Sequence, residues 1–318
     1  MDAIRTEGLT KHFAVGFWRP RPYLALDSLT LHVAAGDVFG FLGPNGAGKT
    51  TTLKLLMQLI YPTSGTAEIL GRPVGDVQVR RRIGYLPENP YFYDYLTAEE
   101  LLVYFGGLFG YSSADSRQRA ARLLDEVGIG AERRLQLRKF SKGMLQRVGI
   151  AQALVNDPEV VFLDEPMSGL DPLGRRDIRQ LILRLRERGC TVFFSSHVLS
   201  DAQALCNRVA VLAGGRLAAS GALSEILDVH ARGWELVIAR ASDAVLARAT
   251  AAGVKATPLG DGRYTLDVPV DVAPEQLLTA LVEAGAQPVS LSPVQETLED
   301  FFVRQVGAAP KDRGLARD

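Results

Sequence analysis

The chain has 318 residues, enough for one large core and a smaller domain. Its 36 basic residues balance 36 acidic ones, so net charge implies no polyanionic partner, and no nucleic acid is expected. Two cysteines, Cys190 and Cys206, form no metal- or redox-type pair, which fits a reduced compartment and two plain buried thiols.

Asp2, Arg5 and Glu7 open the chain without an apolar stretch, so no signal peptide is expected. No apolar run approaches the ~20 residues of a membrane helix. Residues 3–13 and 25–33 alternate apolar and polar side chains, as a half-exposed antiparallel piece does. Residues 38–42, 160–163 and 191–194 are nearly continuous apolar runs bounded by Gly, Pro or charge. Such runs suit strands buried on both faces of a parallel sheet. Helical material follows each, which is the α/β pattern. A fourth run, 208–212, ends at Gly214-Gly215 and continues the sheet.

Between 97 and 156 the texture changes. Residues 99–107, 116–127 and 144–155 carry helical periodicity, so a helical subdomain (about 97–157) is inserted between two sheet strands. After about His230 comes a strand at 234–239, then a helix at 243–252. A hairpin of 254–258 and 263–268 turns around Asp261-Gly262, before a helix at 274–284, a strand at 288–291 and a helix at 297–306. This βαββαβ order resembles a ferredoxin-like unit. The expected domains are therefore 1–230 and 231–306, followed by a disordered tail at 307–318.

The stretch GPNGAGKTT follows one apolar run and precedes a helical one, the strand–loop–helix context of a phosphate-binding loop. It comprises Gly43, Pro44, Asn45, Gly46, Ala47, Gly48, Lys49, Thr50 and Thr51. Gly43, Gly46 and Gly48 let the backbone curl so that N–H groups point at phosphate oxygens. Lys49 reaches the outer phosphates, and the Thr50 hydroxyl is a Mg²⁺ ligand. The stretch VVFLDEP places Asp164 and Glu165 at the carboxyl end of a buried strand, where ligands bind in a parallel sheet. Asp164 suits Mg²⁺. Glu165, one residue on, turns away from its neighbour and suits a general base for the attacking water. His197 follows the strand expected beside that of Asp164 and would hydrogen-bond the γ-phosphate. Ser141 is a good N-cap for a helix carrying Met144, Leu145, Val148 and Ala151, which makes a second anion-binding start on the same chain.

Together these motifs resemble the ATP-binding subunit of an ABC transporter, over about residues 4–230. In that light GPNGAGKTT resembles the Walker A and VVFLDEP the Walker B with its catalytic glutamate, Glu165. SGLD (Ser168 to Asp171) resembles the D-loop, His197 the switch histidine and FSKGMLQR the signature. The resemblance implies a P-loop NTPase with an antiparallel β subdomain and a helical subdomain, plus the small C-terminal α+β domain. It implies ATP and Mg²⁺ as ligands. The signature residues Ser141, Lys142, Gly143 and Met144 then contact ATP held by an opposite subunit, so two chains, a homodimer or a paired ATPase, sandwich two nucleotides.

Two departures stand out. Lys142 and Met144 replace the usual Gly and Gln, and Glu88 in IGYLPENP replaces the usual Q-loop glutamine, adding a hard oxygen near Mg²⁺. Both resemble exporter-type ATPases that pair with ABC-2-like membrane subunits. Phe13 is the match for the adenine-stacking aromatic, with Trp18 and Tyr23 as rivals.

Tyr91, Phe92, Tyr93 and Tyr95 follow the Q-loop-like stretch, where the resemblance implies a groove for a membrane-spanning permease on a separate chain. Packing under the helical subdomain is the other reading of these rings. The expected place of work is the cytoplasmic face of the cell membrane. Against the exporter motor stand an importer motor, a soluble ABC ATPase on a ribosome or DNA complex, and a small-molecule P-loop kinase. The kinase leaves the signature and D-loop unexplained.

Overall fold

The computed structural model describes residues 1–16, 21–226, 232–294 and 297–307. Trp18 and the tail beyond residue 307 lie outside them. The chain divides at Leu223/Ser224 into two compact units, the second running Ser224–Phe301.

In the first unit, β1 (Asp2–Val15) and β2 (Arg21–Ala34) form a long antiparallel pair. β3 (Val38–Leu42) and α1 (Lys49–Leu56) follow, and β4 (Ser64–Ile69) with β5 (Arg72–Pro73) returns to β1, giving a sheet of order β2-β1-β4-β5. A short α2 (Val77–Arg80) and β6 (Ile83–Leu86) lead into three helices, α3 (Ala98–Leu108), α4 (Ser113–Glu126) and α5 (Lys142–Ala153). The chain then runs β7 (Val160–Asp164), α6 (Pro172–Glu187), β8 (Thr191–Ser196), α7 (Leu199–Leu205), β9 (Arg208–Ala213) and β10 (Arg216–Ala222). The second sheet has the order β10-β9-β3-β8-β7-β6, parallel throughout except for β10.

Every residue of β3, β7 and β8 is buried, because both faces of this sheet are covered. On one face Phe39, Phe41 and Phe162 surround Phe193 at centroid distances of 5.3–5.6 Å. That face joins α1 and the inner side of β1, β2 and β4 in a single core. On the other face Gly40 lies against Cys206 and Ala202 of α7. The inserted helices are capped as their sequences demand. Thr97 and Glu100 form a capping box, Ser112 caps α4 and Ser141 caps α5. Arg147 of α5 donates to the Val127 carbonyl at 2.7 Å and to Asp177 of α6 at 3.1 Å, tying these helices together.

The second unit begins in the short α8 (Leu223–Ile226) and contains β11 (Gly233–Ala239), α9 (Asp243–Ala251), β12 (Lys255–Gly260), β13 (Arg263–Pro269), α10 (Pro274–Glu283), β14 (Gln287–Val294) and the start of α11 (Leu298–Gly307). Its sheet is antiparallel, in the order β12-β13-β11-β14. Leu236, Ile238, Leu266 and Val268 pack under Val245, Ala249, Leu277 and Leu281 of α9 and α10. The two edge strands carry Pro258 and the pair Pro288 and Pro293.

One backbone approach limits the first unit's packing. A Cβ at Gly84 in β6 would stand 1.9 Å from the Ala153 carbonyl oxygen at the end of α5. Gly84→Ala should therefore push α5 off the sheet and cost about 3 kcal/mol, the upper range for overpacking. Thermal denaturation checks this, as a fall in midpoint of several degrees.

Candidate functional site

β3, β8, β7 and β6 are parallel neighbours, so their carboxyl ends share one edge. The register sets Leu42 beside Ser196, Asp164 beside Ser195 and Leu86 beside Leu163. The loop after β3, the Asp164-Glu165 pair, His197 and Glu88 all meet there.

The loop from Gly43 to Gly48 is held close to its surroundings. A Cβ on Gly43 would lie 2.5 Å from the Leu212 carbonyl oxygen of β9. Gly48, the N-cap of α1 at φ 107°, would clash with the Ala25 carbonyl at 2.7 Å. Lys49, Thr50 and Thr51 form the first turn of α1, whose N–H groups have no acceptor inside the helix. Those donors and the helix dipole make the turn an anion site. The buried Lys49 folds back and donates to the Gly43 carbonyl at 2.7 Å.

A cavity of about 300 Å³ opens over this loop. Pro44, Asn45, Gly46, Gly48, Lys49, Thr50 and Thr51 line it, together with Glu88, Glu165, Phe13 and Tyr23. Ala47 is buried beneath, its N–H bonded to the Pro44 carbonyl. Phe13 and Tyr23 are register partners in the β1–β2 pair, so both aromatics reach the cavity. The Lys11 ammonium stands 5.1 Å from the Phe13 ring centroid.

Asp164 and Glu165 are both buried. The alternation of a strand does not set their directions, however. β7 ends at Asp164, and Glu165 takes φ 50°, so a left-handed residue swings its side chain towards the cavity. Glu165 Oε2 lies 2.9 Å from His197 Nδ1, and Oε1 lies 3.6 Å from Lys49 Nζ. Asp164 Oδ1 accepts from the Ser195 hydroxyl, while Oδ2 is buried and has no partner among the described residues. An orphaned buried carboxylate oxygen is costly, and a divalent cation would satisfy it.

The start of α5 stands apart from this cavity. Gly143 packs on Leu170, and the stem of the exposed Lys142 lies along Gly169, so the start of α5 rests on the turn at residues 168–171 of the same chain. Ser141 accepts the Met144 N–H at 3.3 Å. Ser168 donates its N–H to the Glu165 carbonyl, and Asp171 caps α6 by accepting from Gly174 at 2.9 Å. The sequence reading missed two polar side chains of the site, Ser195 and Gln146. A hydroxyl on the wholly buried strand TVFFSS and an amide on the buried side of α5 were the available signals.

Burial, then the negative charges of Asp164 and Glu88, push the Tyr85 phenol up to about 12. Its folded-state value exceeds the unfolded one, so the neutral ring favours folding, and this contribution declines as pH climbs from about 10 to about 12. Tyr85→Phe should flatten that part of the stability curve, measured as denaturant midpoint against pH.

A family model described as ABC transporter matches residues 26–168, from within β2 through the D-loop serine. An uncharacterized ABC transporter ATP-binding protein of Synechocystis sp. (strain ATCC 27184 / PCC 6803 / Kazusa) is 44% identical, over 99% of this chain and 86% of its own. The daunorubicin/doxorubicin resistance ATP-binding protein DrrA of Streptomyces peucetius is 36% identical, over 98% of this chain and 94% of its own. Among solved structures, the dimeric ATP-binding cassette MJ0796 in a post-hydrolysis state bound to ADP and Pi is similar, with a TM-score of 0.64 and 27% identity. That likeness covers 69% of this chain and 98% of the cassette. With 44% identity to one such protein across nearly its whole length, the chain belongs to the ABC transporters, as an ATP-binding and ATP-hydrolysing subunit.

Proposed function

We propose that the chain is the motor of an exporter, working as a pair of subunits that close on two ATP molecules and drive a separate membrane-spanning permease. The observation that carries this reading is the split of anion-binding parts. Each chain lines a cavity with its loop and Glu165, yet keeps its signature serine and glycine outside that cavity. Each ATP would then need half of its site from a second chain. Contacts available only in the pair make ATP favour association.

In this reading the loop N–H groups and Lys49 hold the phosphates, and Phe13 stacks on adenine with Tyr23 beside it. Thr50, Asp164 and Glu88 would hold Mg²⁺, which supplies positive charge to the phosphate oxygens. Glu165 takes the proton of the attacking water at Oε1 or Oε2. His197, bonded to Glu165 through Nδ1, fixes that carboxylate and reaches towards the γ-phosphate. Ser141, Lys142, Gly143 and Met144 serve the opposite subunit's ATP, and Ser168 and Asp171 shape the turn beneath them. The second unit is read as a ferredoxin-like accessory domain within about 231–306, on the support of its βαββαβ order and its β12-β13-β11-β14 sheet.

Export as the direction draws on the relative named for resistance to daunorubicin and doxorubicin, and on the Glu88, Lys142 and Met144 departures. No helix among the described residues is long and apolar enough to cross a membrane. In the proposed reading the permease is on another chain, and this one works at the cytoplasmic face of the membrane. Tyr91 and Tyr93 are 94% and 53% exposed, so they are free to dock, while Phe92 packs against Gly149 of α5.

Glu165→Gln should cut ATP hydrolysis by about 100-fold or more. It should also accumulate a dimer with Mg²⁺–ATP, which Ser141→Arg abolishes. Sedimentation velocity with and without ATP reads this, and a purely monomeric Glu165→Gln with ATP bound would refute pairing by ATP alone. Alanine at both Tyr91 and Tyr93 should weaken co-purification with the neighbouring membrane subunit by about tenfold. Unchanged recovery would remove the docking assignment.

A further inference from the structure

Glu165 has to present its carboxylate to water, yet its backbone sits where a residue with a Cβ is strained, at φ 50°. Such a conformation persists only where the surroundings hold it. Two buried side chains do so. The Ser195 hydroxyl accepts the Glu165 N–H at 3.2 Å, sharing it with the Ser195 backbone carbonyl at 3.3 Å, and donates its single proton to Asp164 Oδ1. That commitment leaves Oδ2 as the free Asp164 oxygen. From the other side, Gln146 Nε2 donates to the Glu165 carbonyl at 3.3 Å. Because the acceptor is a carbonyl, only the NH₂ end of that amide can face it. Gln146 is 2% exposed, and it rides on α5, whose N-cap is Ser141.

We propose that Ser195 and Gln146 are positioning residues that grip the Glu165 peptide from both sides, with Ser195 also aiming Asp164. The proposal rests on the roles given above to Glu165 and Asp164. Ser195 acts on two carboxylates and Gln146 on one, so their losses differ in kind. Through Gln146, any displacement of the start of α5 is transmitted to the residue that activates water. The signature helix thus reports to its own chain's base as well as to the opposite ATP.

The test uses the full-length chain and the variants Ser195→Ala and Gln146→Met, with Glu165→Gln as control. Three quantities are read. They are affinity for a fluorescent ATP analogue without metal, Mn²⁺ affinity of the nucleotide complex by electron paramagnetic resonance, and single-turnover ATP hydrolysis. Ser195→Ala should keep metal-free nucleotide affinity within about twofold, while Mn²⁺ affinity and hydrolysis each fall about 10- to 100-fold. Gln146→Met should lower hydrolysis about tenfold and leave Mn²⁺ affinity within about twofold. In the Glu165→Gln background the metal loss from Ser195→Ala should persist, because it runs through Asp164.

Equal losses in all three readouts would mean general loosening and overturn the proposal. So would normal hydrolysis in both variants beside an inactive Glu165→Gln. Normal hydrolysis by Glu165→Gln itself would instead overturn the role of Glu165, which separates the two failures. Where a variant does not fold, Ser195→Cys and Gln146→Glu keep the side-chain shape and carry the same expectations.

Discussion

The parallel pairing of β3, β8, β7 and β6 leaves two sheet faces to be covered, since parallel strands are linked by crossovers that return over them. The chain meets this demand unequally. One face takes α1 and the antiparallel sheet, packed through a cluster of phenylalanines about Phe193. The other takes helices, close enough at Gly40 to bring Cys206 against the strand. With both faces filled, ligands are left to the ends of the strands, and the carboxyl edge is the one that carries the phosphate loop and the carboxylates. The central place of β8 follows from the same pairing. It separates the strand of the phosphate loop from the strand of the carboxylates, and so its last residues touch both.

That edge concentrates charge where water is scarce. Lys49, Asp164 and Glu165 are all buried, and Lys49 approaches Glu165 without closing a short hydrogen bond. Buried ion pairs of loose geometry stabilise little, because desolvation offsets most of the attraction. The arrangement is better understood as poised for an incoming polyanion with its cation. Phosphate would compete for Lys49, and a divalent ion would satisfy the Asp164 oxygen that has no partner. Fold stability comes from the apolar layers beneath, which gives the edge room to remain polar.

Much of this was legible in the chain because double burial writes long apolar runs into β3, β7 and β8. The phosphate loop was legible through its glycines, α5 through its cap Ser141, and α3 and α4 through their periodicity alone, their caps Thr97 and Ser112 emerging only in the fold. β4 and β10 escaped notice because they are partly exposed and carry small or polar residues, and β6 because four residues hold too little periodicity. Ser195 and Gln146 escaped for a different reason. Their partners lie 30 and 19 residues away, across a strand pair and a helix–loop contact that no local pattern encodes. The rivalry of Phe13 and Tyr23 ended in neighbourhood, since antiparallel register sets them side by side. Glu165 shows the limit most clearly. Its direction depends on one dihedral angle, which strand alternation does not encode.

The edges of the second sheet bear on how such a subunit survives crowding. β14 is exposed along all eight residues, a length that invites another chain to add a strand. Pro288 and Pro293 remove two N–H donors from that row, and Pro258 removes one from β12 at the far side. Subunits gathered at high local density would otherwise stitch sheet to sheet through these borders. With donors missing at intervals, neither border can template a continuous ladder. In the proposed reading, association is then left to surfaces that depend on nucleotide.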